Sequence, residues 1–427
     1  MNKIASFALA AALASGSASG LPISVYDRPE PLDLPALLKT AAGETISDVG
    51  QWERTRRPEI LDFFTRNMHG VRPVERPADL SFESLGPDTV FLDGKAIRKR
   101  TRISFSGPRG AWYFDVCAFL PAWASPSRPA PSFVLLCNQA RETYVDVELR
   151  KITEFFPVDT LIERGYAAVV FKCRALACDE YHPSLRPDGS LYVQDPPFTN
   201  GLYACWASER TERSWGAISV WAWGFSRVMD WIETVPAFDA ARVAIIGHSR
   251  GGKTTLWAGA TDPRFALVCV NNSGCCGAKL NHVTVALSET LHVDNANNPH
   301  WFCRAFRQFN GRDLVVPFDQ HWLAALVAPR LLYIASGETD LGAGPWGEFL
   351  TARHASPAWE LYGRKGLVED APYRAGCVYQ AGSIGYHMRK GGHALALWDW
   401  NRYMDFADRH LPAAPSGRQQ KEDASAR

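Results

Sequence analysis

The segment Gly247-His248-Ser249-Arg250-Gly251 sets one serine between two glycines, with the apolar run 242–246 before it and a helix-forming run to Ala260 after it. Strand, Gly-x-Ser-x-Gly, helix is the pattern of a nucleophile elbow, a tight turn that projects the serine at the carboxyl end of a strand. Side chains at 247 and 251 are expected to collide with neighbouring backbone, which makes both glycines part of the turn. The helix N-terminus beside Ser249 favours negative charge. An elbow serine needs a base and an orienting acid, which follow it in the order Ser, Asp/Glu, His. The segment RLLYIASGETDLGAG (330–344) offers Glu338 and Asp340 just past an apolar run, and GYHMRKGGHALALWDWNRYMDFAD (385–408) offers His387 and His393. His393 follows two glycines that let the backbone carry its ring to the serine, and it precedes a helix. His387 lies in a strand-like Tyr-His-Met alternation and reads as structural. His248 reads as scaffold, pointing away from the nucleophile. The catalytic reading is therefore Ser249 as nucleophile and His393 as base, with Asp340 or Glu338 as the acid.

Ester cleavage passes through a tetrahedral oxyanion. The Arg250 backbone N–H stands where it can donate to that oxygen, and its guanidinium adds a permanent charge; one such donor is worth on the order of 3 kcal/mol. Lys253, one turn along the helix, can lie on the same side as Ser249 and donate to a polyol. By spacing alone a solvated helix lysine explains it equally well.

The elements that must position these residues follow a clear rhythm. Apolar runs at 133–137, 166–172, 242–246, 266–272 and 330–336 read as buried strands, and several are separated by helical patterns such as 214–235. Buried strands alternating with helices indicate an α/β fold around a mostly parallel sheet. Upstream, 52–70 reads as a helix, and 99–107 and 112–122 as antiparallel strands. The fold expected is a three-layer α/β/α sandwich with antiparallel N-terminal strands. The aromatic stretch 191–215 is long for a plain connection; Tyr192, Tyr203 or Trp206 there can stack on sugar or simply pack. The cluster Asp319, Gln320, His321 reads as a helix cap, and Asp399 and Asp405 as solvated positions of a C-terminal amphipathic helix.

With Lys+Arg 46 against Asp+Glu 45 in 427 residues, nothing in the charge points to nucleic acid or an anionic membrane as partner. The first twenty residues have Lys3, an apolar run Ile4–Ala14 and small residues to Gly20, the layout of an export signal cleaved after Ala18 or one or two residues later. The division expected is a signal at 1–19, one domain at 20–412 and a polar tail at 413–427, with the mature protein secreted or periplasmic, without a membrane anchor, and monomeric. The ten cysteines form no dense disulfide framework and no zinc spacing, and most read as small buried hydrophobes. No metal and no cofactor is called for.

GHSRGGKTTLWAGATDPRFALVCVNNSGC, HWFCRAF, PFDQHWLAALVAPRLLYIAS and YHMRKGGHALALWDWNRYMDFAD together resemble the bacterial glucuronoyl esterases of carbohydrate esterase family 15, from the 52–64 helix to Asp408. The resemblance implies an exported α/β-hydrolase that cleaves the ester joining 4-O-methylglucuronic acid of glucuronoxylan to lignin alcohols. It implies Ser249 as nucleophile, His393 as base, Arg250 at the oxyanion, Lys253 on hydroxyls of the glucuronoyl ring, and Glu289 as a sugar contact. Two departures stand out. Fungal members carry the acid as a glutamate where this chain has Asn272, so the role falls on Asp340. Bacterial members commonly carry a tryptophan at the position of Gly342; Trp346 is the candidate substitute. Rival readings are a carbohydrate acetyl esterase and a weakened carbohydrate-binding homologue.

Overall fold

The computed structural model describes residues 33–139, 152–179, 201–207, 209–283, 285 and 287–411, with the backbone of 183–185 and 191–193. The expected signal, the tail and Tyr192 lie outside the residues described in full. The 52–70 helix is present as α1 (Arg57–Phe64), extended at each end by a wider-wound turn, and Trp52, Ile60 and Phe64 face inward. Then come β1 (Ser81–Ser84), β2 (Thr89–Phe91), β3 (Ala96–Gly107), β4 (Gly110–Pro121) and β5 (Ala130–Cys137). They are followed by α2 (Val158–Glu163), β6 (Ala167–Lys172), the ribbon β7 (Pro183–Leu185) and β8 (Leu191–Val193), α3 (Tyr203–Trp206) and α4 (Ala217–Ile232). The second half contains β9 (Phe238–His248), α5 (Arg250–Thr261), β10 (Leu267–Asn271), α6 (Leu291–Asn297), α7 (Gln320–Ala325) and β11 (Leu331–Gly337). It closes with α8 (Pro345–Glu360), β12 (Val378–Tyr379), β13 (Ile384–Arg389) and α9 (Leu397–His410).

Eleven strands form one sheet in the order β1-β3-β4-β6-β5-β9-β10-β11-β13-β12, with β2 also on β3. From β6 to β13 the neighbours run parallel; β1, β2, β3, β4 and β12 pair antiparallel. The five apolar runs read as strands are all strands, with ends shifted by a few residues. The short exposed strands β1 and β2 carry no apolar alternation strong enough to announce them.

Strand side chains alternate between faces, and the core divides accordingly. Val134, Leu136, Ile245, Val268, Val270 and Ile334 join one cluster with α4, α5, α7 and α8, whereas Phe133, Leu135, Ile246, Cys269 and Tyr333 join another with α2 and α9. These are the three layers expected. Every residue of α4 is buried, as suits a helix that is apolar nearly all round. None of the ten cysteines is in a disulfide, and nine are buried.

Two sequence expectations, for Asp399 and Trp346, meet a different environment, and for Tyr203 and Trp206, where stacking and packing were both open, the structure shows packing. Asp399 is buried rather than solvated: it accepts from His387 Nε2 at 2.8 Å, Arg389 Nε at 3.1 Å and the Ala396 amide at 2.8 Å. An acid in the first turn of an amphipathic helix folds back on the cap, and helical spacing alone does not separate that from a solvated face. Tyr203 is buried against Trp215, and Trp206 stacks on Phe105, so both rings of the aromatic stretch pack inward. Trp346 is 3% exposed, stacked on Phe349 and edge-on to Tyr373. It fills the core beneath α8 and is not a sugar platform. His387 is structural as expected, bonded at its second nitrogen to the Tyr333 hydroxyl, and Asp319 caps α7 through the Gln320 amide.

Candidate active site

Parallel strands end together, and here the carboxyl ends of β9, β10, β11 and β13 gather the candidate residues. Ser249 stands between β9 and α5 at φ 60°, ψ −128°, a conformation that costs an L-residue energy and marks the elbow. Its amide continues the ladder, donating to Asn271 at 2.9 Å, and its carbonyl accepts from Gly252 and Lys253 at 2.8 and 3.2 Å. A Cβ on Gly247 would overlap the Gly251 carbonyl, as expected. Gly251 itself would tolerate one, with its nearest neighbour 3.6 Å away. The close approach falls on Gly252, 2.9 Å from Ser273 Cβ and 3.0 Å from the Asn271 carbonyl.

His393 Nδ1 lies 2.6 Å from Asp340 Oδ2, and the same oxygen accepts from Asn272 Nδ2 at 2.7 Å. Of the two carboxylates past β11, Asp340 is the one that meets the histidine. Asp340 is 9% exposed, whereas the His393 side chain is 46% exposed. Burial alone would raise the Asp340 carboxyl; the hydrogen bond and charge of His393, with Asn272, outweigh it and hold it below the ordinary carboxylate value. With Nδ1 committed to Asp340, Nε2 is the nitrogen left for a substrate-side proton. Asn272, at φ 44°, is a site residue that sequence reasoning treated only as a missing acid. His248 is scaffold in that it is buried, but it does not turn away from the chemistry: its ring lies against that of His393.

Arg250 opens α5, so its N–H lacks an intrahelical acceptor. Its guanidinium is pinned: Nε donates to Asp179 Oδ2 and Nη2 to the Asn138 carbonyl, both at 2.6 Å. Asp179 also accepts from Trp301 Nε1 at 3.2 Å and lies 3.5 Å from His300 Nε2. Burial works against its charge, but His300, Arg250 and Trp301 prevail and keep it ionised. Nothing in the sequence near Asp179 signals this role.

Lys253 is 3% exposed, and its ammonium donates to the carbonyls of Ser273 and Cys275 at 2.7 and 2.6 Å, with Asp294 at 3.3 Å and Glu289 at 3.7 Å. It faces the loop after β10 rather than solvent. Desolvation opposes its charge, yet Asp294 and Glu289 raise its affinity for the proton above that of an ordinary lysine. Cys275, Cys276 and Asp294 approach within 4.8 Å of one another. The Lys253 ammonium already supplies positive charge at Asp294, and burial pushes the Cys276 thiol far up, so the group fits a cation poorly. Glu289 is 42% exposed, and its amide donates to the Gly342 carbonyl at 2.9 Å. A Cβ on Gly342 would meet only Asp340 Oδ1, at 4.0 Å, and otherwise open space.

Glu348, fully buried on α8, ties the same loop from below. It accepts from the amides of Ser273 and Gly274 at 2.7 and 3.0 Å and from the hydroxyls of Ser273 and Ser336 at 3.1 and 2.7 Å. Burial pushes this carboxyl up from 4.5 to about 7 even against those donors.

The model for the family described as glucuronyl esterase, fungi, matches residues 160–363. The carbohydrate esterase MZ0003 of an unknown prokaryotic organism is 33% identical over 406 residues, 88% of this chain and 89% of that protein. A 4-O-methyl-glucuronoyl methylesterase of Hypocrea jecorina is 34% identical over 160 residues, 36% of this chain and 35% of that protein. The solved glucuronoyl esterase from Solibacter usitatus superposes with a TM-score of 0.76 at 32% identity, covering 89% of this chain and 98% of that one.

The Glu348 environment sets a sign for stability against pH. Its folded value lies above the ordinary one, so between 4.5 and about 7 the folded protein keeps a proton that the unfolded chain releases. The stability this group contributes is complete below that window and is lost as pH rises through it. Glu348→Gln is expected to flatten the fall of the urea midpoint across the window; an unchanged slope contradicts the assignment.

Proposed function

The chain belongs to the glucuronoyl esterases of carbohydrate esterase family 15 and is a carboxylic ester hydrolase; from that premise we propose that Ser249, His393 and Asp340 are its acyl-transfer triad. The observation that carries this reading is the 2.6 Å contact of His393 with Asp340 at the strand ends that bear the strained Ser249. The substrate proposed is the ester between 4-O-methylglucuronoyl groups of glucuronoxylan and lignin alcohols. His393 Nε2 takes the Ser249 proton as Oγ attacks the uronic carboxyl carbon. The carbonyl oxygen becomes an oxyanion, met by the Arg250 N–H and by the positive charge that Asp179 and Asn138 hold in place. Collapse expels the alcohol with the proton from His393 and leaves an acyl-enzyme. Water, deprotonated by His393, attacks the same carbon, and collapse of the second intermediate frees the uronic acid and returns the proton to Ser249. Each proton transfer has a named side chain.

For the sugar, the proposal places Glu289 at the ring hydroxyls, with the buried Lys253 beneath it, fixing its charge and the loop after β10. The open space at Gly342 leaves the ring without an aromatic platform on that side. Residues 1–19 are proposed as a cleaved export signal, 20–412 as one domain and 413–427 as a tail. The mature monomer then acts in the periplasm or outside the cell, without a membrane anchor. No helix among the described residues is long and apolar enough to cross a membrane.

Hydrolysis of benzyl glucuronate beside nitrophenyl acetate tests the reading. Turnover of the glucuronate is expected, with Ser249→Ala reducing kcat by about 10⁴-fold or more. Turnover of the acetate alone contradicts the substrate, and full activity in Ser249→Ala contradicts the site. Gly342→Trp is expected to lower KM for the glucuronate about 2- to 10-fold, the scale of one aromatic stacking contact, with kcat little changed. An unchanged or raised KM contradicts the placement of the sugar beside Gly342.

A further inference from the structure

His248 is the last residue of β9, and the sheet register sets it beside Asn271, the last residue of β10. Its Nδ1 lies 2.7 Å from Asn271 Oδ1. The other end of that amide fixes its orientation: Nδ2 donates to the Tyr403 hydroxyl at 2.9 Å. Oδ1 therefore accepts, and His248 is held with its proton on Nδ1. Asn138 Nδ2 donates to the His248 carbonyl at 2.7 Å, and Phe155 meets the ring edge-on at 6.1 Å. The catalytic ring is the other neighbour: the His248 and His393 centroids are 4.4 Å apart with the planes inclined by 48°. Burial first, and His393 next, push His248 down to about 3; Asn271, Asp340 and Asp399 pull the other way without prevailing.

We propose that His248 is a positioning residue for the base, a neutral imidazole locked by Asn271 and Tyr403 that braces the His393 ring and stays uncharged while His393 carries the proton. The inference rests on reading Ser249, Asp340 and His393 as the triad. A ring with one strong hydrogen bond, at Nδ1 to Asp340, can still swing about that bond, and the His393 side chain is half exposed. A second ring in contact removes that freedom, and a misplacement of about 1 Å at a reacting group costs about 10²-fold in rate. Phenylalanine would brace equally by shape, but it has no bond to the strand end. Through Asn271, His248 is tied to Tyr403 on α9, the helix that the His393 loop enters, so base and brace share one frame. The tie also fixes charge. A cation at His248 would oppose the imidazolium that forms on His393 in each half of the cycle. Asn271 offers His248 an acceptor without the negative charge that would invite a second proton.

The test uses the full chain with benzyl glucuronate and three variants: Ser249→Ala, His248→Ala and Asn271→Asp. His248→Ala is expected to lower kcat about 10- to 100-fold with KM within about twofold. Asn271→Asp keeps the shape and the acceptor but supplies a charge, so His248 becomes able to protonate. Its kcat is expected to fall below wild type by a factor that grows to about tenfold as pH drops from 8 to 6 and that recovers in alkali. A merely structural role predicts no such recovery. If His248→Ala does not fold, Asn271→Asp decides. Wild-type kcat in Asn271→Asp at every pH, with Ser249→Ala inactive, overturns the role of His248 and leaves the triad standing. Activity in Ser249→Ala overturns the triad itself.

Discussion

The amide of Ser249 donates to the carbonyl of Asn271 at 2.9 Å, carrying the β9–β10 ladder one residue past the end of β9. That bond holds a strained residue in place, and the rest of the site is arranged around it. Because β9, β10 and β11 are parallel and in register, the next residue of the β10 chain, Asn272, reaches Asp340 beyond β11. Asp340 in turn fixes His393, which arrives from beyond β13. The α5 N-terminus, with the Arg250 amide, points into the same space. Moving one strand end by one residue would move Ser249 or Asp340, the proposed nucleophile and acid, to the wrong face.

The loop after β10 is held from two sides by a buried ammonium and a buried carboxyl. Lys253 binds its carbonyls and Glu348 binds its amides, and both are removed from water. Such groups are costly to bury unless every hydrogen bond is made, and what they provide here is a fixed backbone beneath the cleft. Arg250 and Asp179 repeat the device at the proposed oxyanion side. A charge that is already oriented needs no reorganisation when the oxyanion forms.

Much of this was legible in the residues. The elbow glycines, the apolar runs and the order Ser, Asp, His each have a local signature, and the structure brings Asp340 and His393 together as that order implies. The supports were not legible. Asp179 lies 71 residues from Arg250, and Glu348 lies 75 residues from the Ser273 it holds. No spacing rule marks a buried carboxylate whose partners come from a distant part of the chain. Lys253 has the helical spacing for the side of Ser249, but the carbonyls that absorb its ammonium belong to the β10 loop. Trp346 follows the acid closely in sequence, yet α8 turns it into the core. Gly251 fits the motif, while packing against β10 makes Gly252 the crowded position.

The central claim is that Ser249 is the activated nucleophile of this cleft. Treating the protein with an alkyl fluorophosphonate, which phosphonylates activated serines by displacing fluoride, and mapping the modified peptide by mass spectrometry tests it most directly. One adduct is predicted, on Ser249, suppressed by saturating benzyl glucuronate and slowed when Asp340 is replaced by Asn. Full esterase turnover after labelling, or an adduct on another residue that abolishes activity, would contradict it.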